Sequence, residues 1–137
     1  MHREQRVAFL RSLPLFKGLD DRLLAVIAAR LTARSFVKGT AVFREGDPGA
    51  SLFLLSKGRV EIRDERRHLV TIAAPEVFGE LAALSSEPRS ADAVCSESVE
   101  LLELEAAELE KLMTEFPAVQ KRVILALVQR VKEAGAR

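Results

Sequence analysis

The residues Arg59-Val60-Glu61-Ile62-Arg63 show the clearest alternation of apolar and charged side chains in the chain. A period of two is typical of a β-strand with one buried face, so Val60 and Ile62 are predicted to point inward and the charged residues outward. The same period recurs further along the chain at Ala91, Ala93 and Cys95. Both stretches therefore predict strands that contribute alternate side chains to a core.

Turn residues surround these strands on both sides. Between residues 32 and 104, glycine or proline recurs at short intervals, at Gly39, Gly46, Pro48, Gly49, Gly58, Pro75, Gly79 and Pro88. Such spacing indicates short strands joined by tight turns. Because strands of this kind usually close into a sandwich or barrel that protects their edges, we predict a jelly-roll-like antiparallel β-barrel over residues 32–104.

A helical element is predicted before the strands, over residues 1–31. Asp20 and Asp21 are placed to cap the start of a helix. The apolar residues that follow have the three-and-four spacing of one buried helix face, and they are Leu23, Val26, Ile27 and Leu31.

Two helices are predicted after the strands, over residues 105–137. The first has one apolar stripe, formed by Leu109, Leu112, Met113 and Phe116, and Pro117 ends or redirects it. The second has an apolar stripe at Val119, Val123, Leu127 and Val131, widened by Ile124 and Val128. This stripe either covers the chain's own barrel or forms a homodimer contact, and the sequence leaves both open. With helices on both sides of the strands, the predicted class is α+β and mainly β.

Composition limits the function classes. The chain has 137 residues, the size of one domain, and no linker or repeat divides residues 1–137. Its 21 Lys and Arg nearly balance its 20 Asp and Glu, so no nucleic-acid surface is expected. No apolar run approaches the roughly 20 residues that span a bilayer. A single cysteine suits a reducing compartment, so we expect a cytoplasmic protein without a membrane span.

Catalytic and metal chemistry are not expected. Cys95 lies on an alternating strand, where a cysteine is most often a small buried hydrophobe, and no activating base stands near it in sequence. The two histidines, His2 and His68, do not form a metal-ligand cluster with one cysteine. The sequence therefore predicts neither an enzyme nor a bound metal or cofactor.

The unusual segment of the chain is residues 77–93, which lies between two predicted strands. It contains Val77-Phe78-Gly79-Glu80-Leu81-Ala82-Ala83-Leu84 and then Pro88-Arg89-Ser90-Ala91-Asp92-Ala93. One helical turn is predicted after Gly79, and the first amides of such a turn attract anions. Gly79 lets a ligand approach the backbone, Arg89 offers a planar fork to two phosphate oxygens, and Ser90 adds a hydroxyl and an amide. The segment predicts a small phosphate pocket.

Glu80 stands beside this predicted pocket and would repel a phosphate. An ionised carboxylate only accepts hydrogen bonds, so Glu80 suits the hydroxyls of a ribose attached to the phosphate. Glu80 and Arg89 would then bind the sugar and the phosphate of one ligand. The alternative is that the two side chains form a surface ion pair across the loop, worth at most about 1 kcal/mol. The residues alone leave both interpretations open.

The segments Phe78-Gly79-Glu80-Leu81-Ala82 and Pro88-Arg89-Ser90-Ala91 resemble the phosphate-binding cassette of cyclic nucleotide-binding domains. Further landmarks of the family follow in the same order, at Leu15-Phe16, Phe36-Val37-Lys38-Gly39, Arg44-Glu45-Gly46-Asp47 and Leu52 to Val60. The resemblance covers nearly the whole chain, from Leu13 to Val131. The family includes the catabolite activator protein, the regulatory subunits of protein kinase A and the cytoplasmic domains of nucleotide-gated channels.

The resemblance implies a site and a function. It implies that Glu80 bonds the ribose 2′-hydroxyl and that Arg89 pairs with the cyclic phosphate. The other implied ligand contacts are the amides near Gly79, Leu81, Ala82, Ser90 and Ala91, with Val60 and Ile62 lining the base. The implied function is a non-catalytic sensor that binds cyclic AMP in preference to cyclic GMP. It would signal to an effector protein or domain by movement of its C-terminal helix about a hinge near Phe116-Pro117.

Three features depart from the family pattern. Ala74-Pro75-Glu76 stands where the family often has Pro-Gly, and the Asp64-Glu65-Arg66-Arg67 connection is short. The last helix ends at Arg137, so an incomplete lid over the base is expected, and no helix-turn-helix for DNA binding follows if the chain is complete. Two alternatives remain. The chain is the ligand-binding half of a transcription regulator, channel or transporter whose output domain is missing, or it is a degenerate interaction module without ligand.

Overall fold

The computed structural model describes residues 1–65 and 67–135. The helices in this part of the chain are α1 Arg3–Ser12, α2 Asp21–Ala28, α3 Glu80–Ser85, α4 Ala106–Glu115 and α5 Pro117–Gly135, with a 3₁₀ turn at Pro14–Phe16. The strands are β1 Thr32–Phe36, β2 Ala41–Phe43, β3 Ser51–Lys57, β4 Arg59–Asp64, β5 Arg67–Ala73, β6 Glu76–Phe78, β7 Asp92–Cys95 and β8 Val99–Glu105. The described residues divide into two compact units. One unit lies within residues 30–107, and the other comprises residues 1–29 and 108–135.

The unit of residues 30–107 contains two four-stranded antiparallel sheets, with strand orders β1-β8-β3-β6 and β2-β7-β4-β5. The predicted α+β, mainly β class and the jelly-roll-like antiparallel architecture are confirmed. The barrel is open, because the strands of the described ranges pair only within each sheet and no ladder joins the two. Side-chain packing between the sheets takes the place of the hydrogen bonds that would close a ring.

The two sheets share one hydrophobic core. Its buried members come from both sheets, and they are Phe53, Leu55, Val60, Phe78, Ala93, Cys95, Val99 and Leu101. The alternation predicted for β4 and β7 is confirmed, because Val60, Ala93 and Cys95 are buried while Arg59 and Arg63 are exposed. Val60 also stands directly opposite Cys95 in the register of β4 and β7.

Strand β3 does not follow the period of two. Leu52, Phe53, Leu54 and Leu55 are all buried, and β3 lies between β8 and β6 in its sheet. A strand that is buried on both faces has a continuous apolar run instead of an alternating pattern. The sequence pattern of β3 therefore does not show which of its side chains face the core between the sheets.

Of the three departures from the family pattern, one lies within the described residues. The Ala74-Pro75 peptide, which joins β5 to β6, is cis. The other two predictions, a short Asp64–Arg67 connection and a helix end at Arg137, fall on Arg66 and Arg137, which lie outside the described residues.

Helices α1 and α2 pack together in the second unit. The Asp20 side chain caps α2 as predicted, because it accepts a hydrogen bond from the Leu23 amide at 2.9 Å. At the other end of α2, the Ala28 carbonyl accepts a hydrogen bond of 3.1 Å from Arg6 Nη1 of α1. Side chains therefore hold both ends of this short helix.

The buried face of α2 differs from the predicted one. Leu24 and Ile27 are fully buried, whereas Leu23 and Val26 are half-buried. The helix ends before Leu31, so the four residues selected by their spacing do not share one helix face. Leu24 and Ile27, which are three residues apart, form the buried face instead.

Pro117 begins α5, in agreement with the helix start predicted there. Val123 of α5 is buried, and the neighbouring Arg122 donates hydrogen bonds to the carbonyls of Pro14 and Leu15 at 2.8 and 3.3 Å. These carbonyls belong to the 3₁₀ turn. Helix α5 is therefore attached to that turn through backbone acceptors.

Removal of the α2 cap tests this local structure. We expect Asp20→Ala to lower the free energy of unfolding by about 1 kcal/mol, because the Leu23 amide loses its acceptor. Asp20→Asn keeps a side-chain oxygen and should retain most of the stability. The measurement is urea denaturation followed by far-ultraviolet circular dichroism, since the chain has no Trp or Tyr. Equal losses in the two variants would argue against a capping role.

Candidate functional site

The segment 77–93 folds as a turn, a short helix and an extended return. Strand β6 ends at Phe78, and Gly79 follows in the left-handed conformation with a φ of 78°. Helix α3 then runs over Glu80–Ser85, which confirms the single short helix predicted after Gly79. After Ser86 the chain returns towards β7. The backbone at Gly79 therefore reverses direction at the point where an anion was predicted to approach.

The loop of residues 44–49 fixes the backbone around Arg89. The Gly46 amide donates to the Arg89 carbonyl at 2.9 Å, and the Arg89 amide donates to the Asp47 carbonyl at 2.7 Å. One residue away, Pro48 and Pro88 form an isolated antiparallel bridge. These contacts hold Arg89 by its main chain on both sides, independently of its side chain.

A carboxylate and a glycine secure the same loop. The Asp92 Oδ1 atom accepts a hydrogen bond from the Glu45 amide at 2.7 Å. A Cβ on Gly49 would lie 2.6 Å from the Cβ of Ala82 and 2.5 Å from the Glu87 carbonyl oxygen. Only a residue without a side chain permits this approach of the loop to α3.

The Arg89 side chain is buried, with 4% of its surface exposed. Its Nη1 donates to the Gly79 carbonyl at 2.8 Å, and its Nη2 donates to the Ser51 carbonyl. The guanidinium carbon lies 4.2 Å from the centroid of the Phe43 ring and 5.5 Å from that of Phe53. A cation over an aromatic face is stabilised by about 0.5–2 kcal/mol, more when it is desolvated.

The electrostatics of Arg89 reflect this burial. Desolvation lowers the pKa of Arg89, and the carboxylates of Asp47, Glu103 and Glu80 act in the opposite direction. An arginine nevertheless stays charged at neutral pH. Within the described residues, Nε of Arg89 is buried and has no hydrogen-bond partner. A buried cation with an unused donor is costly unless a further acceptor meets it.

The structure brings two of the sequence-predicted site residues into direct contact. Arg89 reaches the Gly79 carbonyl, and a Cβ on Gly79 would lie only 2.9 Å from Arg89 Nη1. Glu80 is half-buried, and its charge acts on Arg89. The alternative of a surface ion pair between Glu80 and Arg89 is wrong in one respect, because it requires an exposed arginine and Arg89 is buried.

The other predicted residues lie at several levels of burial. Ala91 is buried, Ala82 is half-buried and Ser90 is exposed, while Leu81 belongs to α3. On β4, Val60 is fully buried within the core, and Ile62 is half-buried against it. Ile62 is thus the more accessible of the two residues assigned to the base.

Phe43, Ser51 and Gly49 belong to the site but were not identified from the sequence. Phe43 carried a weak signal, since it is one of seven phenylalanines in a chain without Trp or Tyr and directly precedes the Arg44-Glu45-Gly46-Asp47 run. Ser51 acts through its carbonyl oxygen, which every residue has, so no residue type could have revealed it. Gly49 was read as a turn residue, whereas its role is the close approach to Ala82.

Within residues 1–65 and 67–135, no three His, Cys, Asp or Glu side chains stand close enough to hold a metal ion. None of the helices in these ranges has the length and apolar character that crossing a bilayer requires. Cys95 is buried, and burial raises the pKa of its thiol, which fits its predicted place in the core.

A family model of the cyclic nucleotide-binding domain matches residues 33–116. The chain belongs to this family. The matched range includes both sheets apart from the first residue of β1, together with Gly79, Glu80 and Arg89.

Known proteins of this family are similar to most of the chain. The CRP-like cAMP-activated global transcriptional regulator of Mycobacterium tuberculosis is 28% identical over 88% of this chain and 56% of its own length. Isozyme 1 of the cGMP-dependent protein kinase of Drosophila melanogaster is 35% identical over 80% of this chain and 15% of its own length. The crystal structure of the Thermus thermophilus catabolite activator protein matches with a TM-score of 0.82 and 31% identity, over 90% of this chain and 60% of that one. The chain thus spans less than two thirds of each of these proteins.

Substitution at Gly79 tests the contact with Arg89. Gly79→Ala should displace the guanidinium, because the new Cβ would lie 2.9 Å from Nη1. We expect a loss of about 2–4 kcal/mol in the free energy of unfolding, from the left-handed backbone together with the crowding.

Gly46→Ala is the matched control. Gly46 also has a positive φ, of 90°, but a Cβ there would meet nothing within 4 Å. The difference between the two variants in urea denaturation isolates the crowding at Arg89. If the two variants are destabilised equally, the Cβ at position 79 does not crowd Arg89.

Proposed function

We propose that this chain is a non-catalytic sensor domain that binds a cyclic nucleotide at residues 77–93. The observation that carries the proposal is the Arg89 guanidinium, which is buried, fixed by two carbonyls and left with an unpartnered Nε. A planar cation in such a position suits a ligand with a single negative charge spread over two oxygens. The phosphodiester of a cyclic nucleotide has that charge distribution.

Glu80 supplies the second contact of the proposed site. It is the first residue of α3, adjacent to Gly79, and its charge acts on Arg89. The 2′-hydroxyl of a ribose would donate a short hydrogen bond to the Glu80 carboxylate. The amides near Gly79, Leu81, Ala82, Ser90 and Ala91 would complete the contacts to the phosphate, with Ile62 and Val60 near the base.

Cyclic AMP is the ligand that we favour over cyclic GMP. The cAMP-activated regulator matches 88% of the chain at 28% identity and the cGMP-dependent kinase 80% at 35% identity, so the preference rests on the extent of the match and not on its identity. Ser90 is exposed, and its residue type does not decide the preference. The choice of base is therefore a separate question from ligand binding itself.

Signalling is proposed to pass through α5. Helix α4 ends at Glu115 and α5 begins at Pro117, which has no amide N–H to donate, while the Phe116 amide still donates to the Leu112 carbonyl at 2.8 Å. The proposed hinge is the single backbone donor that is missing at Pro117. A ligand that binds one orientation of α5 more tightly would shift the population towards it. The recipient would be an effector protein or domain that recognises this orientation.

Calorimetric titration with cyclic AMP and cyclic GMP tests the proposed function. We expect heat with both ligands and tighter binding of cyclic AMP. Absence of heat with either nucleotide would overturn the sensor proposal and favour an interaction module without ligand. Tighter binding of cyclic GMP would overturn only the preference.

Three variants show which groups carry the binding. Arg89→Lys keeps the charge but loses the fork, and we expect it to weaken binding about 10- to 100-fold. Glu80→Gln keeps an acceptor oxygen and loses the charge, and we expect it to weaken binding about tenfold. Arg59→Ala, at an exposed residue of β4, is the control and should bind like the unmodified chain. Full affinity in Arg89→Lys would place the ligand elsewhere.

We also propose that α5 forms a homodimer contact. Four apolar residues on this helix are exposed, namely Ile124, Leu125, Val128 and Val131. Apolar residues exposed together on one segment are a common feature of association surfaces. Val119 and Val123 of the predicted stripe are buried, so the proposed contact is formed by the later turns of the helix.

Light scattering after size-exclusion chromatography tests the homodimer. The unmodified chain should elute with twice the mass of one chain, and Val128→Glu should shift it to the monomer. Gln120→Glu introduces the same charge at an exposed position of α5 outside residues 124–131, and it should leave the dimer intact. A monomeric unmodified chain would refute this proposal without affecting the ligand site.

A further inference from the structure

The ring of Phe43 forms one wall of the space that holds Arg89. Phe43 is the last residue of β2 and pairs with Ala93 of β7, so two strands fix its backbone. Its ring packs against Phe53 and Phe78, with centroid separations of 5.9 and 6.2 Å. The ring is therefore held in place before any ligand is considered.

The ring and the carbonyls act on different parts of the guanidinium. The Gly79 and Ser51 carbonyls take hydrogen bonds from Nη1 and Nη2, which lie in the guanidinium plane. The Phe43 centroid lies 4.2 Å from the central carbon, at stacking distance from the cation. A contact of this kind consumes no N–H donor, so it restricts the orientation of Arg89 without using Nε or the other N–H groups that the carbonyls leave over.

We propose that Phe43 is a positioning residue, whose aromatic face sets the orientation in which Arg89 receives an anionic ligand. This inference rests on the proposed function, since it concerns affinity for the same cyclic phosphodiester. Phe43 would act through Arg89, without contact to the ligand. An arginine that is already oriented loses less side-chain freedom on binding, so the ring would increase affinity.

Phe36 provides a matched comparison in the same unit. Arg34 lies over the Phe36 ring at 5.0 Å, and both Phe36 and Phe43 are half-buried residues packed against the same core. Arg34, however, keeps 45% of its side chain exposed and pairs with Glu103 at 3.0 Å. The two phenylalanines thus have similar packing, and only Phe43 stacks on a buried arginine of the candidate site.

Graded fluorination of the ring separates positioning from packing. Phe43 would be replaced by 4-fluoro- and 3,4,5-trifluorophenylalanine, which weaken the negative ring face while nearly keeping the shape. We expect the dissociation constant for cyclic AMP in calorimetry to rise with each step, to roughly five- to tenfold for the trifluoro ring. The same fluorinated residues at Phe36 should change the dissociation constant by less than about twofold, because Arg34 is exposed and outside the site.

A second set of variants uses natural residues. Phe43→Leu should weaken binding by about tenfold in the unmodified chain and by much less in an Arg89→Lys background, because the ring acts through the guanidinium. Phe36→Leu removes a ring from the same core and serves as the packing control. Urea denaturation of each variant checks that it is folded. Should Phe43→Leu fail to fold, the fluorinated chains still decide the question.

The outcomes distinguish this inference from the function on which it rests. If the unmodified chain binds cyclic AMP and fluorination at Phe43 leaves the affinity unchanged, the positioning role is wrong and the sensor function stands. If Phe43→Leu weakens binding of cyclic AMP by the same factor with Arg89 and with Lys at position 89, Phe43 is only a packing residue. If the unmodified chain binds neither cyclic nucleotide, both proposals fail together.

Discussion

The buried guanidinium of Arg89 is the constraint on which the arrangement of residues 30–107 depends. A cation withdrawn from water needs acceptors around it, and the chain provides them from several elements. Strand β3 contributes the Ser51 carbonyl, the turn before α3 contributes the Gly79 carbonyl, and β2 contributes the Phe43 ring. Because these elements belong to different sheets and connections, the packing of the sandwich and the geometry of the candidate site cannot change independently.

The backbone around Arg89 is as closely specified as its side chain. The loop of residues 44–49 exchanges two main-chain hydrogen bonds with Arg89, and the approach of Gly49 to Ala82 leaves no space for a Cβ. A guanidinium can present its donors in a fixed direction only if its Cα is fixed as well. The loop therefore serves the same purpose as the carbonyls, and the charge of its Asp47 also acts on Arg89.

The fold could be predicted from the sequence where one face of an element is buried and the other exposed. Strand β4 is such a case, since Val60 lies in the core and Arg59 and Arg63 lie outside it. Strand β3 is buried on both faces and shows no alternation, and α2 is so short that its spacing suggested the wrong face. Nor could local periodicity show that the barrel is open, because strand pairing joins residues far apart in the chain.

For the candidate site, the residues whose chemistry is unusual could be predicted from the sequence. A glycine before a short helix and an arginine ten positions later indicate an anion site. The burial of Arg89, its hydrogen bond to the Ser51 carbonyl and its contact with Phe43 follow from the three-dimensional fold alone. A carbonyl oxygen is common to all residues and a phenylalanine in a strand is an ordinary core residue. Their roles arise from long-range packing, which no single segment of sequence encodes.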